Sequence, residues 1–250
     1  MKKFVVVLAA AAGVWAQETA KQPRPKSQKE AEALMAIFNA ADPDARIAGV
    51  ENLLTMFADT EFKAVALQVA AASAQEKNDF EKMVVYAERT LEVDARNYSA
   101  MLMLGTGFAQ RTREFDLDKE EKLTRAEKLS NGAMEALKTA PKPRPDLSDE
   151  QWNAAKKDFT AQAHEALGMI ATVRKKYDVA ITEFKAAIEG AATQDPATKV
   201  RLASAYNQTN KFDEALALLE PLLADQNLNP VIRQFAGREK VTAAMGKAKK

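Results

Sequence analysis

Apolar residues in the second half of the chain follow one pattern twice. From Ala161 the sequence reads AQAHEALGMIATVRKKYDVAITEFKAAI, and from Pro196 it reads PATKVRLASAYNQTNKFDEALALLEPLL. Leu167, Gly168, Tyr177, Ala180, Phe184 and Ala187 are followed 35 positions later by Leu202, Ala203, Phe212, Ala215, Leu219 and Leu222. Within each copy the apolar positions recur at helical spacing on either side of a short polar turn, which predicts two amphipathic helices folded back on each other. The small residue at 168 or 203 lets those helices approach closely.

The same reading extends in both directions. Ser27 followed by Glu30 fits a capping box, and Ala33, Leu34, Ile37 and Phe38 keep helical spacing as far as Asp42-Pro43. Ile47, Val50, Leu53, Leu54 and Phe57 form a second stripe. Leu67, Ala70 and Ala71 precede the turn Asn78-Asp79, and Phe80, Met83, Ala87, Thr90 and Leu91 follow it. A further helix from Tyr98 carries Leu104, Gly105 and Phe108, and Lys119 to Thr139 places Leu123, Ala126, Ser130, Ala133 and Leu137 along one side. Pro221 predicts a bend within a helix, and Pro230 starts a last one with Val231, Ile232, Phe235, Val241 and Met245.

This succession resembles the tetratricopeptide repeat, a helix-turn-helix unit of about 34 residues. The resemblance rests on 161–222, extends to 64–110, and is faint before Asp59. It implies an all-α fold: a right-handed solenoid of about five units, at about 27–60, 64–97, 98–140, 148–194 and 196–229, closed by a capping helix at 230–247. Chain composition agrees, with nine glycines, nine prolines and 7% aromatic residues, which suits packed helices better than strands.

One interval departs from the period. Gly105 and Gly168 lie 63 positions apart, so the chain between them holds about 29 residues more than one unit. The turn from Arg111 to Asp118 and the segment Pro141-Lys142-Pro143-Arg144-Pro145 absorb the excess. Ser148 to Gln151 offers another capping box, from which Trp152, Ala155, Phe159, Ala163, Ala166 and Ile170 run as one stripe into the fourth unit. Ser148 to Thr160 therefore lengthen that unit's first helix by about 20 Å. A protruding hairpin is expected, with Pro141 to Pro145 at its tip and Met134 and Leu137 covering Trp152 and Phe159.

At the N-terminus, Lys2 and Lys3 precede an apolar run from Phe4 to Trp15, and Val14-Trp15-Ala16 places small residues one and three positions before Gln17. That predicts a secretory signal peptide, 1–16, cleaved after Ala16, then a disordered leader, 17–26. The apolar run falls short of the roughly 20 residues of a spanning helix, so no integral membrane segment is expected after cleavage. A periplasmic or secreted bacterial protein follows. The charge of +1 gives no electrostatic case for nucleic acid, and the basic tail 248–250 reads as solvated. Absence of cysteine removes disulfides, thiolate metal sites and a lipid-modified N-terminal cysteine.

Catalytic chemistry finds no constellation in the sequence. His164 is the single histidine and falls at a packing position of its unit. Glu114, Asp116, Asp118, Glu120 and Glu121 are interspersed with lysine and arginine and read as a solvated turn rather than a calcium site. No enzyme activity, metal or cofactor is expected.

What the family resemblance implies is binding of a protein or peptide partner by a monomer, on the concave face lined by the first helix of each unit. Carried onto this chain, the family's concave positions include Gln68 and Gln75, then Leu102, Thr106 and Gln110, then Gln162, Glu165 and Met169, then Ser204, Asn207 and Gln208. Family members that clamp a terminal carboxylate use lysine and asparagine at two of these positions. This chain holds neither there, so no clamp is expected. Carboxamides both donate to and accept from an extended backbone, which makes Gln68, Gln75, Gln110, Gln162 and Asn207 the candidate peptide contacts. Two roles fit: a scaffold or adaptor in the cell envelope, or a small-ligand-binding or substrate-handling component of an envelope uptake or secretion system.

Overall fold

Eleven α-helices and no strand are formed by the residues that the computed structural model describes, 23–249. The expected signal peptide and residues 17–22 of the leader lie outside the described residues, as does Lys250. Two compact units divide the chain, Met1–Ala95 and Arg96–Lys250.

The first unit contains α1 (Gln28–Asn39), α2 (Pro43–Met56), α3 (Lys63–Glu76) and α4 (Phe80–Val93), each packed on its neighbour in the chain. Asp42 and Asp79 cap α2 and α4 by accepting the amides of Ala45 and Lys82. Ile37, Val50, Leu53 and Leu67 are fully buried and hold the apolar stripes together. Ser27 caps α1 by accepting the Glu30 amide at 3.1 Å. The expected capping box is not completed, because the Glu30 carboxylate accepts from the Lys26 amide and from the Thr60 hydroxyl, each at 2.6 Å. Glu30 is thereby buried, its charge met by two donors.

The second unit contains α5 (Tyr98–Arg111), α6 (Lys119–Thr139), α7 (Asp149–Val173), α8 (Tyr177–Gly190), α9 (Pro196–Gln208), α10 (Phe212–Ala224) and α11 (Pro230–Lys247). Consecutive helices pack on each other, and α5 also meets α7, as α9 meets α11. Asn97, Asp195 and Asn229 cap α5, α9 and α11 with their side chains. Prolines open α9 and α11, where the missing amide costs nothing. At Ser148 the full capping box forms, with Gln151 returning a bond to the Ser148 amide. α10 runs unbroken through Pro221. Asn78, Lys175 and Asn210, with φ of 57°, 59° and 59°, make the left-handed residue in the turns of three successive-helix pairs.

The long hairpin of α6 and α7 forms, joined through the proline-rich segment. Its aromatic residues have a second cover beside the expected one. Phe159 and Met134 join the apolar cluster of Leu102, Ala133 and Ala163, but Tyr98 at the start of α5 holds both rings, with its centroid 6.2 Å from Trp152 and 5.2 Å from Phe159. Trp152 is 4% exposed as a result. α5 and α6 thus share the covering of α7. Asp158 lies level with the end of α8, since its carboxylate accepts the amides of Ala192 and Thr193 at 2.7 and 2.8 Å. Residues 149–157 run on by roughly 13 Å.

The last helix covers the stack with Ala236 and Ala243, both fully buried against a cluster containing Phe212 and Leu219. It leaves more apolar surface open than a cap needs. Val231, Phe235, Val241 and Met245 are each more than half exposed.

Candidate functional site

In the second unit, α7, α9 and α11 present two clefts close together. One, of about 160 Å³, is lined by Asp158, Gln162 and Glu165 of α7, by Ile188 and Thr193, and by Asp195 and Thr198 at the start of α9. The other, of about 290 Å³, lies between α9 and α11 and is lined by Ala197, Val200, Arg201 and Ser204 with Ile232, Phe235 and Glu239. Arg201 links the two, since its Nη1 donates to Glu165 Oε1 at 2.6 Å.

The first cleft is acidic but partly committed. Asp158 holds the loop after α8, and Asp195 caps α9 through the Ala197 amide at 2.9 Å. Glu165 is the group whose charge is least at ease. Burial pushes its carboxyl above the usual value of 4.5, with Asp195 adding to the rise and Arg201 opposing it. A cation entering the cleft relieves that imbalance. The second cleft is apolar at its base and bears Phe235, half exposed, with the Arg238 guanidinium 5.7 Å from its ring centroid.

Leu102 is 2% exposed and belongs to the core with Ala133 and Ala163, because the lengthened α7 lies across α5. Thr106 is buried as well, and Gln162 Nε2 donates to its hydroxyl at 3.5 Å, so two of the expected contacts spend themselves on each other. Met169 is also buried. Asn207 is buried against α11, its Nδ2 donating to Glu239 O at 3.0 Å and to Glu239 Oε2 at 2.8 Å. Leu102, Thr106, Met169 and Asn207 are thus withdrawn from the surface. Gln162, Glu165 and Ser204 line the clefts. Gln110 and Gln208 are exposed, and Gln68 and Gln75 lie on α3 in the other unit, half-buried and exposed respectively.

Residues 174–238 match the family model of the tetratricopeptide repeat. Among solved structures, a thermophilic tetratricopeptide repeat protein of Thermus thermophilus superposes with a TM-score of 0.56 at 17% identity, over 85% of this chain and 99% of that one. Residues 174–238 carry the tetratricopeptide repeat, and the chain has the fold of tetratricopeptide repeat proteins. A tetratricopeptide repeat protein from Parabacteroides merdae is similar with a TM-score of 0.46 at 13% identity, covering 89% of this chain and 92% of that one. Residues 1–338 of an assembly chaperone of RpL4 give 0.48 at 11% identity, covering 89% of this chain and 98% of the chaperone chain. No curated protein matches the sequence.

In repeat terms, α5, α7 and α9 are first helices, and α11 stands where the first helix of another repeat would follow. That position explains what the sequence reading missed. It assigns Ile232, Phe235 and Glu239 to a cap, yet they form one wall of the larger cleft. The signal was the spacing: Pro196 and Pro230 both open first helices, 34 positions apart. His164 sits between helices of one repeat, its Nδ1 2.7 Å from Glu183 Oε2. The acidic turn is occupied by its own cations, with Lys122 on Asp118 at 2.9 Å and Lys175 on Glu114 at 2.5 Å. Among the described residues no helix is long and apolar enough to cross a membrane.

Proposed function

We propose that this chain is a non-catalytic interaction scaffold of the bacterial cell envelope, and that α7, α9 and α11 together bind a peptide segment of a protein partner. The tetratricopeptide fold suits this role, because stacked helices offer an extended surface whose ordering cost is met on folding. The observation that carries the reading is the pairing of clefts across Arg201. An acidic cleft containing the partly desolvated Glu165 lies beside an apolar one based on Val200, Ile232 and Phe235. The peptide that fits has a lysine or arginine near a large apolar side chain. Gln162 and Ser204 supply hydrogen bonds to its backbone.

Export is part of the proposal. It is supported by the two lysines, the apolar run and the small residues before Gln17. N-terminal sequencing of the chain purified from its host tests it: a start at Gln17 agrees, and a retained Met1 does not. The binding role is tested by affinity capture from the envelope fraction with wild-type chain and with the variant E165Q/F235A. A partner retained by the first and lost from the second supports it, and equal retention by both contradicts it.

A further inference from the structure

Arg201 stands where the two clefts meet, and among the described residues that line them it is the one cation beside four carboxylates. Asp158, Glu165 and Asp195 line the acidic cleft, and Glu239 lines the apolar one together with Arg201. Three of the four are already engaged. Asp158 holds the amides of Ala192 and Thr193, Asp195 holds the amide of Ala197, and Glu165 Oε1 accepts from Arg201 Nη1 at 2.6 Å. Glu239 is engaged through one oxygen only: Oε2 accepts from Asn207 Nδ2 at 2.8 Å, and Oε1 has no partner among the described residues. A cation that enters the acidic cleft therefore meets a carboxylate that a guanidinium already occupies. That pair is partly shielded from water, with the Glu165 side chain 16% exposed and the Arg201 side chain 34% exposed. Arg201 offsets the burial of Glu165 only in part, since the carboxyl stays raised above its usual value.

We infer that Arg201 is a built-in competitor for the acidic cleft: the peptide's cation displaces it from Glu165, and Arg201 turns to Glu239 Oε1 on the opposite wall of the apolar cleft. This rests on the peptide reading above and adds how the free site discriminates among ligands. The exchange leaves no carboxylate of the switch alone. In the free chain one cation serves Glu165 and Glu239, and in the complex two cations serve them, so the peptide's charge is not set against the loss of an internal ion pair. Glu239 lies one helical turn after Phe235, which brings the relocated guanidinium to the wall that receives the peptide's apolar side chain. The two clefts are thereby coupled. A ligand without a cation leaves the Glu165–Arg201 pair intact and gains only the apolar contact, and a weakly held cation fails to dislodge Arg201.

The experiment uses a fluorescent basic peptide, selected from a random library on the full-length wild-type chain, and a twin of it with the basic residue replaced by glutamine. R201Q is expected to bind the basic peptide about tenfold more tightly than the wild type does, and to bind the twin no more tightly. E239Q is expected to weaken the basic peptide about fivefold in the wild-type background and to change its affinity by less than about twofold in R201Q, because the two residues act together only when Arg201 is present. A general change of charge around the clefts would instead weaken the peptide by the same factor in both backgrounds. That result would overturn the inference, as would R201Q binding the basic peptide no more tightly than wild type. If R201Q loses helicity, R201K takes its place: lysine lacks the planar fork and holds Glu165 less firmly, so a smaller gain in affinity is expected, and no gain overturns the inference. A library that yields no basic peptide overturns the peptide reading itself, whereas basic peptides whose binding ignores Arg201 overturn the competitor alone.

Discussion

The ring of Phe184 occupies the space that a side chain on Gly168 would need. A Cβ at that position would lie 2.5 Å from Cε1 of Phe184, which is itself buried. Gly237 lies one repeat on from Ala203, the counterpart of Gly168, and a Cβ there would meet nothing within 4 Å. The two glycines therefore separate a packing requirement from a backbone preference. Gly168→Ala is expected to destabilise by about 1–2 kcal/mol, the overpacking penalty exceeding the gain in helix propensity. Gly237→Ala is expected to stabilise by up to about 1 kcal/mol. Urea denaturation of both variants checks the signs.

Tyr98 is the residue on which the start of α7 rests. Tyr98→Ala removes the ring between Trp152 and Phe159 and is expected to cost about 2–3 kcal/mol. It should also move Trp152 emission to longer wavelength, measured in a Trp15→Phe background, and speed amide exchange in residues 149–160. Unchanged exchange there would mean that α6 alone supports the hairpin.

Glu165 makes stability depend on pH in a direction that the cited shift fixes. Its folded pKa lies above 4.5, chiefly through burial, so the folded chain holds this proton more tightly than the unfolded one. Stability contributed by the protonated form is present at and below the unfolded value and is lost as pH rises through the folded value. Replacement by glutamine abolishes this dependence. The stability of Glu165→Gln relative to wild type should therefore rise from pH 4.5 upward and then level off, as followed by denaturation at a series of pH values. A difference that falls over this range would contradict the assignment.

Asp158 joins the long helix to the loop that precedes α9. Asp158→Ala leaves the amides of Ala192 and Thr193 without their carboxylate and is expected to cost about 1–2 kcal/mol. Faster amide exchange at 191–194 with unchanged exchange elsewhere would show that the effect is local.

Much of this architecture was legible because the repeat writes it twice in apolar residues. Leu167-Gly168 and Leu202-Ala203 identify helices that need close approach, and the prolines at 196 and 230 mark where two helices begin. The site was less legible, since a family position specifies a place on a repeat and not what lies across it. Leu102 has the right register, but the lengthened start of α7 buries it. Asn207 has the register of the partner side, and α11 brings Glu239 against it. The cleft beside Phe235 required knowing that the last helix packs on α9 as another first helix, leaving part of its apolar face open. Glu30 has the spacing of a cap, and only Thr60, distant in sequence, makes it a buried tie.

Selection of a random peptide library on the full-length chain, followed by affinities for the wild type and for Glu165→Gln and Phe235→Ala, tests the binding face most directly. Enriched peptides should share a lysine or arginine near a leucine, methionine or phenylalanine, and each substitution should weaken binding by about fivefold or more, near 1 kcal/mol. Peptides lacking that pair of side chains, or affinities that neither substitution changes, would contradict the account.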